Sequence, residues 1–463
     1  MPSMLSPSLS RPKVGAARPS RLAFAALVML ALAGSGAARA QSLLSLYEAA
    51  RGFDAAYQSA RAQAESVIFK AEQSRALRRP TVNGTASWVE SQSDTPYSST
   101  TLTRTSQQSL AVTAQQSLFN RGNDKIIEQA ERAIEVARSQ LAAVEQDLIV
   151  RLAQAYFDVL AASDALATVQ TSKKAIAEQL ASAKRNFEVG TATITDTREA
   201  QAKYDLAIAQ ELAAENDLNV KRLALEGVSG RTGVLPQPMA LPIVLPATGP
   251  ADVEEWVTQA DALSPQVQQL RLAREVARLE TEKARAARLP TVGVSASLTD
   301  AQTRLSGNTA AGGFGPNSGN GLSANVAVQL TMPLYTGQSV QNRIKETLAL
   351  EDKAQSDLEA GRRGVAQGTR SAFFGVRSLR AQVIALEAAE SSSKLALEAT
   401  QLGYKVGVRV NLDVLNAQTQ LFQAQRDLAK ARYDVVVNSL KLRQISGQLQ
   451  PQDVNAADAL LAR

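Results

Sequence analysis

Two periodicities alternate along this chain. Ile127, Ala130, Ile134, Ala137, Leu141, Val144 and Leu148 recur at alternating three- and four-residue steps, which is the a/d seam of a helix packed lengthwise on a partner. No Pro occurs from residue 97 to 235 or from 334 to 450. The spacing therefore predicts one unbroken helix from Gly122 to Glu188, roughly 100 Å long at ~1.5 Å per residue. A second helix is predicted to return from about Asp196 to Val228, with Ser229-Gly230 as its end. Shorter helical stretches, Leu43 to Leu77 and Pro265 to Ala287, each run into a basic-Pro-Thr-Val sequence, at Arg79-Pro80-Thr81-Val82 and at Arg288-Leu289-Pro290-Thr291-Val292. Pro ends the helix and can open a strand, where its missing N–H does no harm.

Period two takes over at those prolines. Val82, Gly84, Ala86 and Trp88 alternate with Asn83, Thr85 and Ser87. Leu110, Val112, Ala114 and Leu118 continue the pattern. Further on, Val292, Val294, Ala296 and Leu298 alternate with Thr291, Gly293, Ser295 and Ser297. In the clearest case Leu322, Ala324, Val326, Val328, Leu330, Met332 and Leu334 alternate with Ser323, Asn325, Gln329 and Thr331. Strict alternation over about ten residues predicts strands of membrane-spanning length. Ser91 to Gln108 and the Gly/Asn-rich Asp300 to Gly321 are expected to be the loops between them.

The plan occurs twice. Phe187–Asp196 (FEVGTATITD) returns as Tyr404–Asp413 (YKVGVRVNLD), and one offset of 217 relates Phe157 to Phe374, Gly190 to Gly407, Gln201 to Gln418 and Gly230 to Gly447. Two Ala-rich helices that were alike by chance would not hold one register through a turn. The domain reading is a first repeat over 41–230, a Pro-rich linker and equatorial segment over 231–262, a second repeat over 263–447, and a loosely held tail over 448–463. The linker is expected to be extended, since Val234 to Pro250 carries five prolines. Residues 1–40 read as a signal peptide: Arg11, Lys13, Arg18 and Arg21 precede the apolar run Leu22 to Ala33, and Ala38-Arg39-Ala40 is a cleavage site.

Strands of that length create a closure problem. Unpaired backbone groups at an open sheet edge cannot sit in lipid, and the smallest closed barrels have about eight strands. With four strands per chain, closure requires other copies: a dimer would give a barrel plugged by its own side chains, and a trimer twelve strands that begin to leave a lumen. The polar parity would face that lumen and the apolar parity lipid. The helices follow the strands directly, so a ring of strands would continue into a ring of helices.

Composition then removes alternatives. The formal net charge is +6, but setting aside the five basic residues of the leader leaves about +1, so the basic balance gives no argument for nucleic acid. The chain has no Cys and no His. That removes thiol nucleophiles, disulfides, the usual zinc sites and His-based acid–base schemes. No nucleophile–base constellation is visible, and no metal or cofactor is expected. After the leader no run of about 18 apolar residues occurs, so no membrane-spanning helix is expected.

On these features — R-L-P-T-V, L-Y-T-G at Leu334 to Gly337, the two turn sequences, the continuation Val414-Leu415-Asn416-Ala417-Gln418, and the duplication — the mature chain resembles the TolC outer-membrane channel family. The resemblance implies a mainly α chain with membrane β-strands: a trimeric duct with a shared twelve-stranded β-barrel continuing into a long periplasmic α-helical barrel. It implies a place in the outer membrane of a Gram-negative bacterium, amid outer-membrane lipid. It also implies export of drugs, or of proteins by type I secretion, with a periplasmic adaptor and an inner-membrane ABC or RND-type pump. Gly190 and Gly407 would turn the hairpins at the periplasmic tip, where the resting tube is constricted. Thr195, Asp196, Tyr404 and Arg409 would occupy the linking positions of that gate: Asp196 accepting from Tyr404, Arg409 pairing with Thr195 or Asp196. Asp413 would line the constriction. A second acidic ring expected at 416 is Asn416 here, which weakens the case for divalent-cation block.

Plainer roles stand beside these. Asp196 and Asp413 suit the first turn of any helix, Arg409 can be a solvated loop residue, and the glycines can simply stop helices. Phe119 and Tyr335 fit either an interfacial aromatic belt or junction packing. The rival to an exit duct is a soluble periplasmic coiled-coil adaptor with its strands in a small β domain.

Overall fold

A computed structural model describes residues 41–93, 100–240, 249–309 and 314–461. The leader, part of the loop after Ser93, residues 241–248 of the Pro-rich linker, and 310–313 lie outside the described residues, as do 462–463 at the end of the tail.

The first repeat begins with helices α1 (Leu43–Phe53) and α2 (Ala55–Arg75), followed by a 3₁₀ turn at Ala76–Arg78. The single helix expected from Leu43 to Leu77 is broken at Asp54. Its backbone is extended (ψ 115°), its carboxylate accepts from the Tyr57 N–H at 2.8 Å to cap α2, and its second oxygen takes Arg151 at 3.1 Å. A side chain that caps and pairs at once outweighs helix continuity here. Strands β1 (Thr81–Ser93) and β2 (Thr100–Phe119) follow, then the long helix α3 (Arg121–Glu188, 68 residues) and its return α4 (Ile194–Ser229). The second repeat is α5 (Val253–Leu263), α6 (Pro265–Ala286), β3 (Thr291–Thr309), β4 (Phe314–Thr331), α7 (Ser339–Lys405, 67 residues) and α8 (Asn411–Ile445); a last helix, α9, spans Pro451–Asp458.

The strands form one antiparallel sheet in the order β1-β2-β3-β4, so the two repeats join through β2 and β3. Much of what was expected to be loop is strand: β2 starts at Thr100 and β3 runs to Thr309. Main-chain pairing does not require apolar side chains, and the polar residues Ser91–Ser93 and Thr103–Gln108 stay in register with their neighbours. At ~3.3 Å per residue the 20-residue β2 reaches about 66 Å, well beyond a hydrocarbon core of ~30 Å. The apolar alternation therefore marks the band within lipid, and the polar extension projects past it. Trp88 sits near that boundary, 71% exposed, with its indole N–H donating to Ser106 at 3.2 Å.

Neither face of the sheet is covered within the chain. Val82, Leu322, Val326, Val328 and Leu330 are 66–75% exposed on the apolar parity. Thr81, Gln115, Ser117, Ser295 and Gln329 of the polar parity line a concavity of about 560 Å³ at the base of the sheet. Val292 and Val294 of the other parity reach the same concavity, and β1 and β4 leave open edges.

The main core lies midway along the helices. Tyr156, Phe157, Leu148 and Leu152 of α3 pack with Leu43 and Leu46 of α1, Leu225 of α4 and Val436, Val437 and Leu440 of α8. The described part of the Pro-rich linker is extended and runs against this core: Val234 and Met239 are buried, and the Tyr156 hydroxyl accepts from the Gln237 N–H at 2.7 Å and shares its one proton between the Gln41 and Gln237 carbonyls at 3.1 and 3.2 Å. The tail is not loose. Leu449, Val454, Ala457 and Leu461 are buried in the same cluster, because α9 presents one apolar stripe to α1.

Below the sheet a collar of ion pairs ties the helices together. Glu280 of α6 accepts from Gln129 of α3 at 2.9 Å, from Arg343 of α7 at 2.8 Å and from Lys283. Lys125 of α3 meets Glu282 at 2.7 Å, and Arg78 meets Asp124 at 2.7 Å. Burial pushes the Glu280 carboxyl up, but the bonds from Lys283, Gln129 and Arg343 outweigh it and hold it at about 2.

Candidate functional site

The two hairpin tips are built alike. At the first, Gly190 adopts φ +80°, its N–H donates to the Phe187 carbonyl at 3.0 Å, and Thr191 N–H donates to Asn186 at 2.8 Å. At the second, Gly407 adopts φ +78°, its N–H donates to Tyr404 at 3.1 Å, and Val408 N–H donates to Gly403 at 2.9 Å. Nothing lies within 4 Å of a Cβ placed on either glycine. The left-handed backbone, not crowding, is what calls for Gly at these turns.

The return helices start differently. Thr193 caps α4 in a reciprocal box: its hydroxyl accepts from Asp196 N–H at 3.2 Å, and the Asp196 carboxylate accepts from Thr193 N–H at 2.9 Å and from its hydroxyl at 2.7 Å. α8 starts at Val410 with no side-chain cap, and Asp413, in its first turn, takes Arg409 at 3.5 Å. Thr195, Arg409 and Asn416 are exposed, Tyr404 and Asp413 half-buried.

Within one chain the tip bonds differ from those the resemblance implies. Asp196 is engaged by Thr193 and Arg409 by Asp413, both inside their own turns. The Tyr404 hydroxyl accepts instead from Asn186 Nδ2 of α3, at 3.2 Å. A second bond between the hairpins joins Gln179 Nε2 of α3 to Asn411 Oδ1 of α8. Asn186, Gln179 and Asn411 were not among the expected site residues. The available signal was Gln179 and Asn186, seven apart on the face of α3 that also carries Ile176 and Ala183. Among the described residues no group of three or more acidic side chains is placed to hold a metal.

Strands with one apolar and one polar face, neither covered within the chain, open sheet edges and hairpins of this length define a channel-type protein whose barrel closes between chains. No described helix is long and apolar enough to cross a membrane. The family model described as outer membrane efflux protein matches residues 46–231 and 256–448. The chain belongs to that family. Its relatives include the outer membrane protein TolC of Vibrio cholerae, 34% identical over 428 residues that cover 92% of this chain and 95% of that one. The alkaline protease secretion protein AprF of Pseudomonas aeruginosa is 31% identical over 316 residues, 68% of this chain and 64% of AprF. Among solved structures, the open state of the MtrE outer membrane channel of Neisseria gonorrhoeae superposes with a TM-score of 0.70 at 21% identity, covering 89% of this chain and 90% of that one.

The fold is thus the TolC-like duct with duplicated repeats, and the protein is an outer-membrane exit duct for secretion and efflux that extends into the periplasm. The soluble adaptor is set aside. Channels of this family form trimers and work with adaptor and pump components.

Proposed function

We propose that this duct is passive, without catalysis, and that its gate is the periplasmic tip formed by Thr195, Asp196, Tyr404 and Arg409, with Asp413 and Asn416 at the constriction. An adaptor and an inner-membrane ABC or RND-type pump open it, and the pump selects between a secreted protein and small drugs. Residues 1–40 direct export and are removed. The observation that carries the reading is the pair of tip turns with unequal side chains: the second has Tyr404 and Arg409 where the first has Phe187 and Ala192. The Arg409 side chain is 61% exposed, so it is free to exchange Asp413 for Thr195 or Asp196 of a neighbouring protomer in the closed ring. In planar bilayers, Tyr404→Phe combined with Arg409→Ser is expected to raise single-channel conductance several-fold. Conductance equal to the parent protein's rejects the tip as the gate.

A further inference from the structure

Glu90, Arg104, Asp300 and Arg304 carry all the charge of the four strands. Each falls on the parity of Val82, Val112 and Leu298, the one that meets the bilayer. In register, Glu90 lies opposite Ser106, Ser106 opposite Arg304, and Asp300 opposite Leu110. The other parity, from Asn83 and Thr85 to Asn325 and Gln329, holds no charge. A charge that needs only water would be as well solvated in the lumen as outside, so solvation does not account for this segregation. Past the end of an apolar band, a charge on the bilayer side is well tolerated where lipid headgroups meet it.

The surroundings of Arg304 say which headgroup. Its partner Ser106 lies two residues beyond Gln108, the partner of Trp88. Arg304 therefore stands roughly 7 Å along the strands past the Trp88 boundary, at ~3.4 Å per residue. It is exposed and makes no ion pair among the described residues. Asp300, four residues back on the same strand, is about 13 Å away and out of reach. Arg104 sits diagonally across on β2, at a spacing of ~7–8 Å that long side chains bridge. It is 64% exposed, and its Nε donates to Glu90 at 2.5 Å, so that carboxylate is already engaged. Two guanidinium forks at this spacing can grip one phosphate from two sides. Toward the apolar band, Trp88 presents its bare ring, and Gln108 faces Gln302 across β2 and β3. A sugar ring packs its C–H face on such an aromatic and offers its hydroxyls to such amides. Because β2 and β3 are inner strands, closure through β1 and β4 leaves this patch open to lipid.

We infer that Arg304, with Arg104, forms a site on the outer wall of the barrel for a phosphorylated glycolipid of the outer leaflet, its phosphate on the guanidinium groups and its sugar against Trp88. The inference rests on the outer-membrane placement of the barrel and is independent of the tip gate. Native mass spectrometry of the detergent-solubilised protein titrated with diphosphoryl lipid A tests it. Arg304→Gln is expected to weaken binding roughly tenfold. Arg304→Lys is expected to fall in between, because it keeps the charge and loses the fork. Arg288→Gln, which removes a cation just before the opposite end of β3, is expected to leave the affinity unchanged. The heat-resistant oligomer on gels shows that each variant has assembled. Two further titrations need no variant. Fully dephosphorylated lipid A, which lacks the charge, and phosphatidylglycerol, which has a phosphate but no sugar, are each expected to bind the parent protein at least tenfold more weakly. Arg304→Gln binding as tightly as the parent protein, or Arg288→Gln weakening binding as much as Arg304→Gln, overturns the site. Equal affinity for dephosphorylated lipid A overturns the phosphate contact, and equal affinity for phosphatidylglycerol overturns the choice of a glycolipid.

Discussion

Gly447 adopts φ +73° with a Cβ position 2.4 Å from the Leu263 carbonyl oxygen, whereas Gly407 has an equally left-handed backbone in open space. Alanine pays the left-handed penalty at both, but only at 447 must neighbouring backbone also move. Gly407→Ala is expected to cost about 1 kcal/mol and Gly447→Ala more than about 2 kcal/mol, read from thermal unfolding of the detergent-solubilised protein. Equal shifts would contradict this. At this scale the glycines were legible, because a helix that must reverse asks for a left-handed residue wherever it lies. The Asn411–Gln179 pair was not: its members are 232 positions apart, and each alone reads as an ordinary polar helix residue. Asp196 serves as the expected first-turn cap; the gate role proposed for it depends on a neighbouring chain.

Among elements, the long helices followed from the absence of Pro and the unbroken a/d seam, and the strands from strict alternation. What the pattern missed was decided by contacts between distant segments. The polar ends of β2 and β3 are strand because neighbouring main chains complete their ladder, and α9 is ordered because Leu43 and Leu46 offer it an apolar surface. Val454→Asp, which puts a carboxylate into that cluster, is expected to destabilise by about 3 kcal/mol, and the exposed Asn455→Asp to leave the melting temperature within a degree or two. The collar gives a pH prediction. Glu280 has its folded value depressed to about 2 from 4.5. Its stabilising contribution is therefore complete above about pH 4.5 and is lost as pH falls toward 2. Glu280→Gln is expected to cost about 2 kcal/mol near neutral pH, and its gap from the parent protein should close in melts run from pH 5 down to 2. A gap independent of pH would show that the collar does not depend on that charge.

For the whole molecule, a sheet with two open edges, a bare apolar face and a polar concavity cannot be the final state of a chain placed in lipid. The need for closure was visible in the count of strands. The joining of the repeats through β2 and β3, which fixes β1 and β4 as the edges to be covered, was not, since strand order depends on pairing that alternation does not encode. Three chains of four strands supply a closed barrel wide enough for a lumen, and the helical hairpins continue it as a tube. The subunit stoichiometry of the detergent-solubilised protein, measured by native mass spectrometry, tests this most directly. Three copies are expected in one complex, and a stable monomer or dimer would contradict the duct.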